Sequence, residues 1–434
     1  MVLVDNILQQ RERENNPVKV AITGTGAMGQ GMINQIANYT PGMKVVAVYN
    51  RTLDRAVKTV QKAGISNFAL NPGNRKRCQE AFDTGRIIIT DNIDNILHLK
   101  GLDVIVETTG TIEFAFKAIT GAFENGIHVL SFNAELDSIF GPLLNKLAKD
   151  YGVRYSLGDG DQPGVIMNLY RHVRGFGLEP LVCGNIKGLE DHYRNPDTQK
   201  AFAKKWGISP EMATSFADGT KISFEQSCVA NATGMRVAKR GMLGYHSDNH
   251  VDNLTHLFDI DNLREHGGIV DYIVGARPSP GVFVYAATED PYSRKALCYM
   301  KMGEGPLYCF YHPYHLLFYE VPGSICRLVD FNDPVIVALN GLVVDVVAAA
   351  KTDLKKGETL DGIGGFKTYG LCENHDIVRD ERLLPMALAM GSRLKRKVSR
   401  DEVLTFDDVE MNANNFLIEI FQKQAELFQD TGSL

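Results

Sequence analysis

The sequence has no C-x-x-C pair. Its seven cysteines, Cys78, Cys183, Cys228, Cys298, Cys309, Cys326 and Cys372, are scattered and have no metal-finger spacing with the histidines. An odd, dispersed set in a chain of 434 residues points to reduced thiols and a cytoplasmic setting rather than a disulfide framework. Basic residues are not in excess: 46 Lys and Arg stand against 52 Asp and Glu, which excludes a globally basic surface for nucleic acid. Long hydrophobic runs are missing too. The most apolar stretch, residues 335–350, contains Asn340 and Asp345 and falls short of the roughly 20 residues that cross a bilayer, so it reads as buried strand and no membrane partner is expected. The leader MVLVDNILQQRERENN lacks an apolar segment with a small-residue cleavage site, so no export signal is expected. Repeats and low-complexity tracts are absent.

What is present is the composition of a folded globular chain, long enough for about three domains of about 150 residues each. The first 180 residues alternate β-branched runs with amphipathic stretches, the pattern of βαβ units on a parallel sheet. Strands are predicted at Val18–Thr23, Lys44–Tyr49, Asp103–Glu107, His128–Ser131 and Arg154–Leu157, and helices at Met28–Tyr39, Leu53–Ala63, Glu113–Asn125 and Leu136–Asp150. The polar segment Asn71–Arg86 reads as an excursion from the core. Beyond Pro163 the texture becomes mixed α+β: a helix through Arg174, a strand Leu181–Ile186, a long polar stretch to about Ser223 and a helix Phe224–Arg240. Strand-like runs follow at Gly281–Ala286, Leu307–Tyr311 and Leu316–Tyr319. From Asn332 onward, short apolar runs and Gly-rich turns suggest a small β-rich module. The expected architecture is α/β: a doubly wound parallel Rossmann sheet over residues 1–160, a central α+β open-sheet catalytic domain over 161–331, and a β-rich domain with a C-terminal tail over 332–434.

The sharpest local signal is the strand Val18–Thr23 running into Gly24-Thr-Gly26-Ala27-Met28-Gly29, with a helix opening at the last glycines. A strand before G-x-G-x-x-G and a helix after it make this a dinucleotide-binding fingerprint, the alternative being a βα turn with no ligand. Gly24 permits the tight turn, Gly26 the approach of a pyrophosphate, and Gly29 the close packing of helix on strand. The helix N-terminus then offers amide donors to the phosphates. The second strand ends at Asn50-Arg51-Thr52, where an acidic residue would bind the ribose hydroxyls of NAD. No acid stands there, and Arg51 and Thr52 suit a 2′-phosphate, so NADP(H) is the expected cofactor; the alternative for Arg51 is a solvated loop arginine. Thr108, Gly110 and Asn133 leave the next strands on the same edge and are expected to face the nicotinamide, with simple loop chemistry as their alternative.

The run DVIVETTGTIEFAFKAITGAFENGIHVLSFNAELD, taken with the fingerprint, resembles homoserine dehydrogenases, in which the corresponding strand ends in Asn-Lys. In that family the lysine is thought to assist hydride transfer. Here it is Ala134, which argues against homoserine as substrate. The region is also similar to 1-deoxy-D-xylulose 5-phosphate reductoisomerase, whose metal-binding acidic pair corresponds to Asp159 and Asp161, so the resemblance implies Mg2+ or Mn2+ at that pair. Over residues 17–330, through GDGDQPGVIMNLYR, GNIKGLEDHYRNP and SFADGTKISFEQ, the chain resembles reductoisomerase-like oxidoreductases that can make 2-C-methyl-D-erythritol 4-phosphate, an isoprenoid precursor. Residues 333–411, with Ala350-Lys351-Thr-Asp353 through Leu360, resemble a SAF domain, the β-clip module that contacts sugars in sialic acid synthases.

An enzyme of phosphosugars needs cations for the phosphate and an acid or base for the hydroxyl proton. Lys187 follows a strand and precedes Gly188. Lys221 and Glu225 stand four residues apart on one face of a helix, with Asp218 near its start. Lys187, Asp218, Lys221 and Glu225 are the catalytic candidates, against an ordinary surface ion pair for Lys221 and Glu225. Lys204 and Arg240 are candidates for phosphate, against solvated helix faces. Asp161 before Gln-Pro also suits a helix cap. The expected activity is NADPH-dependent reduction of a small phosphorylated or polyhydroxy carbonyl compound, most sharply the reductoisomerisation of 1-deoxy-D-xylulose 5-phosphate. The alternatives are a plain dehydrogenase of another sugar, sugar acid or amino-acid-like alcohol, and a non-catalytic NADP(H) sensor. The expected partners are the small phosphosugar or polyol substrate and further copies of the chain, as a homodimer or larger homo-oligomer. A crevice shared by the Gly24 loop and the segment Asp218–Glu225 is also expected.

Overall fold

The computed structural model describes residues 3–411 and 416–429; the rest of the expected C-terminal tail lies outside the described residues. The chain divides into two compact units. The first comprises Met1–Leu136, Leu143–Gly164 and Leu316–Val337, the second Asp137–Pro142, Val165–His315 and Ala338–Leu434.

The first unit is a seven-stranded sheet built from β1 (Val18–Thr23), β2 (Met43–Tyr49), β3 (Phe68–Leu70), β4 (Ile87–Thr90), β5 (Val104–Glu107), β6 (His128–Ser131) and β7 (Tyr155–Leu157). Its order is β3-β4-β2-β1-β5-β6-β7, and every pair is parallel. The chain builds outward from β1 on one side, then returns to lay β5 against β1 on the other. That reversal makes the carboxyl ends of β1 and β5 the switch point at which doubly wound folds bind ligands. Helices α1 (Asp5–Arg13), α2 (Ala27–Tyr39), α3 (Leu53–Lys62), α4 (Arg75–Asp83), α5 (Asp94–Leu97) and α6 (Ile112–Glu124) lie between or before these strands. Val18, Val20 and Ile22 of β1 are fully buried with Met32, Ile33 and Ile36 of α2, each side chain contributing about 1.5–3 kcal/mol by leaving water.

Two sequence expectations change here. Asn71–Arg86 is no bare excursion, because α4 occupies it and the short parallel strands β3 and β4 on either side extend the sheet; only Cys78 and Ala81 of this helix are buried, which explains its polar composition. Leu316–Tyr319 is not a strand but a 3-10 turn at Leu317–Tyr319. Leu317 N donates to Gly160 O at 2.8 Å, and Phe318 lies so close to Gly31 that an added Cβ would stand 2.2 Å from its ring. The apolar run docks on α2 instead of pairing.

The chain passes from the first unit to the second through α7 (Ala134–Asp150) and α8 (Gln162–Gly175). The second unit holds a mixed sheet of β8 (Glu179–Lys187), β9 (Tyr245–His246), β10 (Ile269–Val274), β11 (Gly281–Ala287) and β12 (Leu307–His312), in the order β12-β11-β8-β10-β9. The polar stretch before Ser223 contains α9 (Pro196–Trp206) and α10 (Pro210–Ala217), capped by Asn195 and Ser209. Helix α11 (Thr220–Thr233) is buried from Thr220 to Ala232 and ends at Gly234 with φ +84°, so the predicted continuation to Arg240 is irregular chain. Its small polar residues hold the strand pair β13 (Val344–Ala350) and β14 (Thr368–Asn374): Ser223 Oγ donates to Gly370 O at 3.0 Å and Ser227 Oγ to Val344 O at 2.6 Å. Short antiparallel bridges such as Ala349 with Val403 and Leu354 with Val398 complete the β-rich module. The α/β architecture with a doubly wound parallel sheet, a second open sheet and a small β module is the one expected.

Candidate functional site

At the carboxyl edge of β1 the three fingerprint glycines do three different things. Gly24 has φ +96°, and an added Cβ would also stand 3.0 Å from Thr108 O. A Cβ on Gly29 would stand 2.0 Å from Gly24 O, so this residue is what lets α2 lie against the loop. A Cβ on Gly26 meets nothing within 4 Å. Its bareness serves no internal packing and leaves open space before the first turn of α2, where Ala27 is exposed and Met28 half-buried. That is the cradle a pyrophosphate requires, and the residues present fit a dinucleotide.

The neighbouring loops brace this edge. Thr108 donates from N (2.9 Å) and Oγ1 (2.8 Å) to Thr23 O, locking β5 to β1. Asn50 accepts from Thr25 N at 3.2 Å and donates to Thr52 O at 2.8 Å, so its amide is spent on loop geometry. Arg51 and Thr52 beside it are exposed. Asn133 caps α7 by accepting from Leu136 N at 3.1 Å and donates to Thr111 O at 3.3 Å. Gly110, at φ +67°, also borders open space. Ser131, Phe132, Ala134, Leu157 and Gly158 line a small cavity at the ends of β6 and β7. Glu107 ends β5 fully buried; burial pushes its carboxyl up to about 7, against the pull of the Thr109 donors and Asn133.

In the second unit the start of α11 gathers polar groups that the surface-pair alternative does not describe, for Asp218, Lys221 and Glu225 are all buried. Asn185 of β8 donates to Glu225 Oε2 at 3.0 Å, and Gln226 donates to Asn185 Oδ1 at 2.7 Å and to Asp271 O at 2.9 Å. This relay fixes one face of the Glu225 carboxylate. Asp218 accepts from Thr220 N at 2.9 Å and from Lys351 Nζ at 2.8 Å. Lys351 also donates to Arg194 O and Gly365 O, so the Asp218 carboxylate is tied through this lysine to two backbone carbonyls. His192 Nδ1 faces Glu190 Oε1 at 2.7 Å and Asp218 O at 3.0 Å, and its ring stacks on Tyr369 at 4.4 Å. Burial opposes its cation, but the Glu190 carboxylate prevails and raises its pKa. Asp271 accepts from Leu243, Gly244 and Tyr272 amides, and burial raises it to about 7.

Of the other expected residues, Asp161 lines the small cavity at the ends of β6 and β7. Lys187 ends β8 half-buried, whereas Lys204 is exposed in the last turn of α9. Arg240 is engaged by Glu373 and Glu381, both at 2.6 Å, so the cation expected to bind phosphate is already neutralised by carboxylates. Asp159 and Asp161 accept from the backbone amides that follow them, at 2.9 and 3.0 Å. Among the described residues no group of three or more His, Cys, Asp and Glu could hold a metal ion, so Asp159 and Asp161 are not part of a larger protein ligand set. Also among them, no helix is long and apolar enough to cross a membrane. Sequence reasoning missed Asn185, Glu190, His192, Asp271 and the anchoring role of Lys351. The sequence signal for Asn185, Glu190 and His192 is the density of polar residues in GNIKGLEDHYRNP, that for Lys351 is a lysine of the β-rich module, and that for Asp271 is an acid inside the apolar run IVDYIV.

Residues 24–156 match the model of the homoserine dehydrogenase NAD-binding domain, residues 160–321 that of the oxidoreductase DRL catalytic domain, and residues 345–410 that of the SAF domain. Together these three matches cover most of the chain, and none alone spans half of it. A homoserine dehydrogenase of Pseudomonas aeruginosa is 30% identical over 137 residues, 32% of this chain. The match spans only 28% of that protein's length. Among solved structures, a putative myo-inositol dehydrogenase from Sinorhizobium meliloti is 9% identical with a TM-score of 0.43, over 75% of this chain and 93% of that one. A putative NADPH-dependent oxidoreductase from Desulfitobacterium hafniense is 11% identical with a TM-score of 0.41, over 75% and 91%.

Proposed function

We propose that this protein is an NADPH-dependent oxidoreductase that reduces a small phosphorylated or polyhydroxy carbonyl compound, with 1-deoxy-D-xylulose 5-phosphate as the first substrate to test. The observation that carries the cofactor half is the open space in front of Gly26, framed by the strained turn at Gly24 and the tight packing at Gly29. The amides of this loop and of the first turn of α2 hold the pyrophosphate, and Arg51 with Thr52 receives the 2′-phosphate. When bound, the dinucleotide supplies hydride. Lys221 orients the substrate oxygen and bears its developing charge, and Glu225, held by Asn185, handles the proton. Lys187 contributes positive charge for the substrate phosphate. No step in this reading runs through a metal.

A plain reduction without rearrangement is the second reading, supported by the match of residues 24–156 to the homoserine dehydrogenase NAD-binding domain. Product analysis separates the two. The protein is incubated with NADPH and 1-deoxy-D-xylulose 5-phosphate, then with a panel of sugars, sugar acids and hydroxy amino acids, and products are assigned by carbon connectivity. Formation of 2-C-methyl-D-erythritol 4-phosphate supports reductoisomerisation; an alcohol with its skeleton unchanged supports the plain dehydrogenase. Tight NADPH binding with no turnover across the panel contradicts both and supports a sensor.

A further inference from the structure

Glu107 is the last residue of β5, in register with Thr23 of β1 and Ser131 of β6, at the edge where the sheet reverses. It is fully buried, yet only one of its oxygens is satisfied internally. Thr109 donates to Oε1 from its backbone N at 2.7 Å and from its hydroxyl. Oε2 has no hydrogen-bond partner. Asn133, whose side-chain amide donates to Thr111 O, also interacts with the carboxyl and favours its ionised form. A buried carboxylate oxygen without a donor is costly, and such groups mark places where a ligand completes the set.

We propose that Glu107 accepts a hydrogen bond from the nicotinamide carboxamide through Oε2 and, when ionised, makes the site prefer the oxidised, positively charged ring over the reduced, neutral one. This rests on the reading that the β1–β5 edge holds a nicotinamide dinucleotide, and it adds a redox-state selectivity determined by pH. The charged group facing Glu107 from the next element is Glu135, in the first turn of α7, which disfavours ionisation, as does burial; the Thr109 donors and Asn133 oppose them. The balance leaves the carboxyl titrating at about 7, inside the range where the ratio of the two affinities can respond.

The test is to measure Kd for NADP+ and for NADPH between pH 6 and pH 8, with NAD+ and NADH as a second pair. Both members of a pair carry the same phosphates, so their titration cancels in the ratio. The expected result is a Kd ratio, oxidised over reduced, that falls about tenfold across this range, within the linkage limit of one decade per pH unit for one proton. Glu107→Gln should abolish this slope. Thr109→Val, which removes a donor to the ionised form, should move the midpoint upward, and Thr109→Ser should restore it, so a poorly folding Glu107→Gln leaves the question decidable. A flat ratio in the wild type, or an unchanged slope or midpoint in these variants, overturns the role of Glu107 alone. Failure of both pairs to bind overturns the cofactor reading as well.

Discussion

Gly26 caps helix α2 and Gly29 lies three residues on in its first turn, and the structure assigns their bareness to opposite causes, which a pair of alanine variants separates. In Gly29→Ala the new Cβ would stand 2.0 Å from the carbonyl oxygen of Gly24, against a floor of about 3.0 Å for real Cβ contacts. Helix α2 and the loop must therefore part by about 1 Å, and overpacking of this kind costs about 1–3 kcal/mol. In Gly26→Ala the Cβ meets nothing within 4 Å and the residue has φ −69°, so folding stability should change by less than about 0.5 kcal/mol. The methyl instead fills the space reserved for the pyrophosphate. NADPH affinity should fall at least tenfold, equivalent to about 1.4 kcal/mol. Urea unfolding gives the stability and fluorescence titration the affinity. Gly26→Ala with wild-type NADPH affinity, or Gly29→Ala with wild-type stability, would refute the reasoning.

Further outcomes follow from the other sites. Arg51→Ala should reduce the preference for NADPH over NADH by about tenfold or more by removing a charge-assisted phosphate contact; an unchanged ratio of Michaelis constants contradicts it. Lys221→Ala should lower turnover by about 10²–10³-fold with NADPH binding intact, and near-normal turnover counts against its role. Lys351→Met leaves Asp218 buried without its cation and should cost about 3–5 kcal/mol by denaturant unfolding, part of which Asp218→Asn recovers. Glu107 carries its own stability signature. Its carboxyl is raised from 4.5 to about 7 in the folded chain, so the folded state holds the proton more tightly and stability falls as pH rises between those values. Glu107→Gln should remove about 3 kcal/mol of that loss, read as a smaller stability difference between pH 5 and pH 8 than in the wild type.

The cofactor edge was legible because its constraints are local. A tight turn, an open approach and a close helix contact each demand glycine at a fixed place, and β-branched Val18–Thr23 announces the strand that carries them. The polar cluster of the second unit was only half legible. Lys221 and Glu225 share a helix face, so their spacing reveals them. Asn185 reaches Glu225 across 40 residues and Lys351 reaches Asp218 across 133, pairings that only the fold creates. Arg240 shows the converse: its basic character is visible in sequence, but the two carboxylates that engage it lie far along the chain. Leu316–Tyr319 has the composition of a strand, and a close contact between Phe318 and Gly31 makes it a turn.

Equilibrium titration of the wild-type chain with NADPH tests the central claim most directly. Saturable binding of one dinucleotide per chain, displaced by NADP+ and weaker for NADH, is the predicted result. Titrations that stay flat for both NADPH and NADH would contradict the account.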